Sequence, residues 1–141
     1  MLKENLLYRM MVVVGVLIII LGLIHISYTP ILYKDIASIP LDPDNLNTYL
    51  YMFVATGASL LLAGVLVVYS VKGLKRNNHL AWVVSLTVGI YILLLGIGAV
   101  VTMHGGNPFA YIMLVLAVLE MFTLLLIKRS IAGLADRKEK L

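Results

Sequence analysis

Four apolar blocks divide the chain, at about residues 7–26, 49–71, 80–103 and 108–128. Each approaches the ~20 residues that an α-helix needs to cross ~30 Å of hydrocarbon. A backbone in hydrocarbon must satisfy its own hydrogen bonds, so spans of this kind are helical. Four of them take up most of the 141 residues and leave no room for a separate soluble domain. The expected fold is all-α, an integral membrane four-helix bundle running up-down-up-down as a single transmembrane domain over 1–141. An outer loop at 27–48 and a cytoplasmic tail at 129–141 complete it. Composition agrees, with 62% hydrophobic residues against about 45–50% in soluble domains.

Charge sets the expected orientation. Lys3 and Arg9 precede the first span, Lys72, Lys75 and Arg76 lie between the second and third, and Lys128, Arg129, Arg137, Lys138 and Lys140 follow the fourth. Only Lys34 lies on the other side. The positive-inside rule then puts both termini and the 72–79 loop in the cytoplasm, with the 27–48 loop and the 104–107 turn outside. The expected location is the prokaryotic cytoplasmic membrane. The apolar core of the first block, MVVVGVLIIILGLI, is followed by HISYTP rather than a small-x-small cleavage site, and reads as a retained helix. The chain has no cysteine, which excludes disulfides, thiolate chemistry, Fe–S ligation and palmitoylation. The basic residues mark orientation and attract anionic lipid. They form no aromatic-interleaved face, so nucleic acid is not an expected partner.

Small residues mark the packing faces. Gly15 and Gly22 share one face of the first span, and His25 falls on nearly the same face near the outer boundary. The second span carries Thr56, Ser59, Ala63 and Ser70, with Gly57 and Gly64 beside them; the third has Ser85, Gly89 and Gly96. In the outer loop, Ile31, Leu32, Ile36, Ile39 and Leu41 are spaced to lie along the interface as a short amphipathic element. Asp42-Pro43 reads as an N-cap followed by proline at the first helical position. In His104-Gly105-Gly106-Asn107-Pro108, glycine ends the third span and Asn107 caps the fourth, which forces the two to be antiparallel neighbours.

Glu120 lies inside VLAVLEMFTLLLI. An acid at that depth costs on the order of 2.5–3.5 kcal/mol on insertion scales, so it is a functional-site candidate by default. Desolvation favours the neutral acid. At ~1.5 Å per residue, Glu120, Tyr91, Ser59 and Thr56 fall at similar depths on three spans. Ala117, Glu120 and Thr123 share a face. The expectation is a Glu120 carboxyl hydrogen-bonded to Tyr91 or to the Ser59/Thr56 pair, so that Gln at 120 is mild and Leu disruptive. The alternative is a purely structural acid that holds helices together.

His25 and His104 stand at the outer ends of different spans, near Asp35, Asp42 and Asp44. Two histidines at one depth are a candidate metal pair or a bis-histidine haem site, although no i, i+4 spacing fixes one. His79 reads as an interfacial or capping residue. Tyr8, Tyr28, Tyr33, Tyr49, Tyr51, Trp82, Phe109 and Tyr111 cluster near the membrane ends as an aromatic belt. H-E-x-x-H, G-x-S-x-G, Walker and dinucleotide motifs are absent, and Gly96-Ile97-Gly98 is mid-helix. The chain is therefore not expected to be an enzyme on its own.

Gly22-Leu23-Ile24-His25, the stretch from Gly57 to Gly64, the His104–Pro108 turn and Glu120 followed by aliphatics together resemble the DoxX-like superfamily of small four-helix membrane proteins. The resemblance spans most of the chain and implies the four-helix fold; its better-known relatives imply quinone or thiosulfate chemistry. The family commonly carries an acidic residue near the start of its second helix, where this chain has Tyr51 to Phe53. The functional expectation is a membrane protein that binds a hydrophobic small molecule, lipid or quinone-like, in an intramembrane pocket. That pocket opens outward, with His25 at the mouth and Glu120 and Tyr91 at the base, flanked by Ser59 and Thr56. The alternatives are an accessory subunit of a larger membrane complex, or a haem or metal protein using His25 and His104. The expected partners are the bilayer and a small molecule or membrane protein, with a homo-oligomer compatible.

Overall fold

In the computed structural model the chain is helical throughout its described residues, which are 2–37, 42–102 and 108–139, with side chains described over 5–37, 42–102 and 108–131. The helices are α1 (Leu2–Ser27), α2 (Thr29–Ala37), α3 (Pro43–Lys75), α4 (His79–Thr102) and α5 (Pro108–Glu139). The four apolar blocks correspond to α1, α3, α4 and α5. Each is long and apolar enough to cross a membrane, which is the character of an integral membrane protein. Their outward faces are apolar as well. Leu62, Leu94, Val115 and Leu125 are all more than half exposed, so the bundle presents apolar surface on every side. A helix apolar all round is solvated by protein or by lipid, not by water.

The ends differ from the sequence reading in three places. First, α1 begins at Leu2 and α5 continues to Glu139, so the expected tail is mostly helix. The segment contains no proline, and Ala132, Leu134 and Ala135, strong helix formers, flank its one glycine, Gly133. Second, much of the outer loop is α2, separated from α1 by Tyr28 alone. The Tyr28 N–H still bonds Ile24 O at 3.0 Å, and Tyr28 O accepts from Ile31 and Leu32. Pro30, in the first turn of α2, has no N–H to leave unpaired. Ile31, Leu32 and Ile36 fall on this helix, whereas Ile39 and Leu41 lie outside the described residues. Third, Asp42 holds the extended N-cap backbone before Pro43, but its side chain makes no capping bond.

Between α3 and α4 the link shrinks to residues 76–78. Arg76 and Asn78 N–H both bond Gly73 O, and Asn77 N–H bonds Leu74 O. This is a Schellman closure with Asn77 in the left-handed region at φ 53°. Asn78 then caps α4, its Oδ1 accepting from Leu80 N–H at 2.8 Å. His79 is the first residue of α4 and is exposed. The 103–107 turn, with His104, lies outside the described residues.

The four long helices form a ring in which α1 packs on α3, α3 on α4, α4 on α5 and α5 on α1, neighbours running antiparallel. Backbone approach sets the closest pair. A Cβ on Gly64 would sit 2.6 Å from Gly15 O and 2.8 Å from Ile19 N; one on Gly22 would sit 2.8 Å from Gly57 O and from Leu61 N. On the other side of the bundle, a Cβ on Gly96 would meet Leu114, and one on Gly89 would meet Met121. Met11, Ile18, Leu60, Val67, Ile92, Leu124 and Ile127 fill the centre, all nearly inaccessible. Gly98 is the exception, since a Cβ there would meet nothing within 4 Å among the described residues.

These glycines therefore predict opposite outcomes. Gly64→Ala forces two backbones apart and is expected to cost about 1–3 kcal/mol. Gly98→Ala is expected to leave stability unchanged or slightly raised. Thermal unfolding in detergent, followed by the intrinsic fluorescence of Trp82, distinguishes them; equal losses at both sites would contradict the backbone-approach account.

Candidate functional site

Space left by small side chains defines the site. In the half of the bundle where α1 ends and α3 begins, Thr56, Gly98, Ala99 and Thr102 stand where the other half has Val67, Val71, Leu124 and Ile127. The result is a cavity of about 510 Å³ reached by α1, α3, α4 and α5. Ligand pockets span about 300–1,000 Å³, so the cavity is large enough for a small organic molecule. Its walls are mainly apolar: Leu21, Met52, Phe53, Leu60, Leu94, Leu95, Phe109 and Met113. Four residues supply most of the polarity, namely His25, Thr56, Tyr91 and Thr102, with Tyr49 exposed at the rim.

α1 delivers His25 one turn beyond Gly22. Because Gly22 lies directly against the α3 backbone, His25 is held close to α3 and stacks on Phe53, with ring centroids 3.8 Å apart and planes at 20°. One ring nitrogen bonds the Phe53 backbone. The other, Nε2, is buried with no hydrogen-bond partner among the described residues. On the opposite wall the Tyr91 hydroxyl donates to Ser59 Oγ at 2.6 Å, a link between α4 and α3. Ser59 donates to Thr56 O at 2.7 Å, and Thr56 donates to Met52 O at 2.9 Å.

His25, Thr56 and Tyr91 thus meet around one cavity, and Ser59 joins them through Tyr91. Glu120 does not. Met113 is the deepest α5 residue in the wall, and Glu120 lies two helical turns further, about 10 Å along the axis. Its side chain is fully buried beside Gly89, whose absent Cβ leaves room for the carboxyl: a Cβ there would be 3.6 Å from Glu120 Cδ. Neither carboxyl oxygen has a hydrogen-bond partner among the described residues. The expected bonds to Tyr91, Ser59 or Thr56 are not made, because those hydroxyls are committed to one another and to α3 carbonyls. Ser85, one turn from Gly89 on α4, is also buried, its hydroxyl without a partner among the described residues.

Of the proposed His25–His104 pair, only His25 falls within the described residues. Among these, no group of three or more His, Cys, Asp or Glu side chains is placed to hold a metal ion. The residues that sequence reasoning missed are Phe53, Leu95, Gly98, Ala99 and Thr102. With Tyr91 they carry a signal that was available: positions 91, 95, 98, 99 and 102 recur at helical spacing on one stripe of α4. The stripe is polar or small at all positions but one. No protein-family profile, curated protein or solved structure matches the chain.

An unpartnered buried acid reverses the expectation for substitution. Leucine is about one methylene larger than glutamate but needs no hydrogen bond, and an unsatisfied buried polar group costs about 1–3 kcal/mol. Glu120→Leu is therefore expected to raise the thermal stability of the purified protein, with Glu120→Gln near the wild type. A clear loss of stability in Glu120→Leu would show that the carboxyl has a partner on which the bundle depends.

Proposed function

We propose that this protein binds a hydrophobic small molecule, lipid or quinone-like, within the membrane, in the cavity between α1, α3, α4 and α5. The observation that carries the reading is the cavity itself: about 510 Å³ of mainly apolar wall reached by all four spans, with His25 on one side and Tyr91 on the other. Apolar walls with a few placed polar groups are the usual form of a small-molecule site. Glu120 is not part of this site. The likeness to DoxX-like proteins in the Gly22–His25 and Gly57–Gly64 stretches fits the same reading, because both stretches border or approach the cavity.

The site lies in the half of the bundle that carries α2. In the proposed orientation both termini and the α3–α4 link face the cytoplasm, so the cavity opens toward the outer leaflet of a prokaryotic cytoplasmic membrane. Lys72, Lys75, Arg76, Lys128 and Arg129 then gather at the inner face, which is the distribution that the positive-inside rule expects. Two of these cations rest on aromatic rings: Lys128 Nζ is 4.6 Å from the Trp82 ring centre, and Lys75 Nζ is 5.6 Å from that of Tyr8. The absence of native cysteine makes the orientation easy to test. In intact cells, Lys34→Cys is expected to react with a membrane-impermeant maleimide, and Arg76→Cys only after lysis. The reverse pattern would invert the assignment.

The binding role is tested by mass spectrometry of organic extracts from gently purified protein. A hydrophobic molecule is expected at near-stoichiometric amount in the wild type, and at least about tenfold less in Ala99→Phe, which fills the cavity without touching the glycine contacts between helices. Equal recovery from both would refute the cavity as the site. A ligand-free wild type recovered with fixed partner proteins would favour the accessory-subunit alternative.

A further inference from the structure

Resting on the binding role proposed above, the hydrogen-bond directions around the cavity narrow the ligand's chemistry. A carbonyl oxygen cannot donate, so each hydroxyl bonded to one has spent its only proton. Thr56 spends its proton on Met52 O at 2.9 Å, and Thr102 spends its own on Gly98 O at 2.9 Å. Ser59 spends its proton on Thr56 O, so it can only accept from Tyr91, and the Tyr91 proton is spent in turn. His25 is set apart, because its Nε2 is buried out of reach of the cavity and has no partner among the described residues.

Among the described residues, the hydroxyl oxygens of Thr56, Tyr91 and Thr102 therefore meet the cavity as acceptors. Among the described residues, Tyr49 at the rim is the one lining hydroxyl whose proton is uncommitted.

We infer that the cavity selects hydrophobic molecules that carry an O–H or N–H donor, such as a phenol, a hydroquinone or a long-chain alcohol, over isosteres that offer only acceptor oxygens, such as an ether, ester or quinone. A donor group bonds the wall without breaking any existing bond, and the Tyr91 oxygen, held between α4 and α3, is its best-placed acceptor. An acceptor-only group sets lone pair against lone pair, or forces a threonine or tyrosine to abandon its present partner. In an apolar pocket either outcome leaves a buried polar atom unpaired. The selection is against the wrong hydrogen-bond polarity as much as for the right shape.

The test is an equilibrium titration of the full chain in lipid nanodiscs, with octylphenol and its methyl ether as matched probes, each corrected for partition into protein-free nanodiscs. The wild type is expected to bind the phenol at least about tenfold more tightly than the ether, the effect of one well-made hydrogen bond. Tyr91→Phe keeps the ring and deletes the acceptor oxygen. It is expected to lose most of the preference. Equal binding of the two probes by the wild type, or tighter binding of the ether, would overturn the donor preference and leave the cavity as a binding site. Binding of neither probe would overturn the cavity reading as well. An undiminished preference in Tyr91→Phe would overturn the role given to Tyr91.

Discussion

The close approach of α1 to α3 is the contact from which the rest of the bundle is laid out. In lipid there is no hydrophobic force to press helices together, since the tails are as apolar as leucine, and association depends on packing and on interhelical polar contacts. Gly15 and Gly22 on α1 meet Gly64 and Gly57 on α3, with carbonyl oxygens lying where side chains would otherwise be. The pairs are seven residues apart on both helices, so the contact repeats after two turns and fixes both separation and register. α4 and α5 form the complementary pair, closed at Gly89 and Gly96. With both pairs clamped, the side chains between them decide whether the middle is filled or open.

That division explains why one half of the bundle is solid and the other is not. Toward the α3–α4 link, branched and long side chains such as Val67, Val71, Leu74, Leu124 and Ile127 close the centre. Toward α2, α4 contributes Gly98, Ala99 and Thr102, and the space stays open. The hydroxyls there are accommodated by bonding backward to their own helix or across to the neighbouring one, so none of them needs a ligand to be satisfied. His25 Nε2 is different, because its burial comes from the α1–α3 clamp and the Phe53 stack, which supply no partner for that atom.

Several features were legible before any coordinates. Spans of ~20 apolar residues leave few alternatives to helix, and glycines at seven-residue spacing pointed to packing faces. Depth drew Thr56 and Tyr91 together and the helix face placed His25 at the outer end, and all three line one cavity. The same depth argument failed for Glu120. Equal depth does not mean equal direction, and the side chain turns toward Gly89 on α4 rather than toward the open half of the bundle. Which hydroxyls were free to meet it was equally hidden, because serine and threonine in helices bond carbonyls three or four residues back. The α4 wall of the expected pocket was hidden for a related reason. Gly98 and Ala99 look like further packing residues, yet nothing among the described residues lies within 4 Å of a Cβ on Gly98. The break between α1 and α2 also escaped notice, because one tyrosine serves where a longer loop was read.

The account rests on the cavity being occupied from within the membrane. Photolabelling with a diazirine-bearing long-chain alcohol, in membranes containing the full chain and followed by peptide mapping, examines that most directly. The account predicts adducts concentrated on cavity residues such as Leu60, Leu95 and Met113 and suppressed by excess unlabelled alcohol. Adducts spread over outward residues such as Leu62, Val65 and Leu125, with no suppression by competitor, would contradict it.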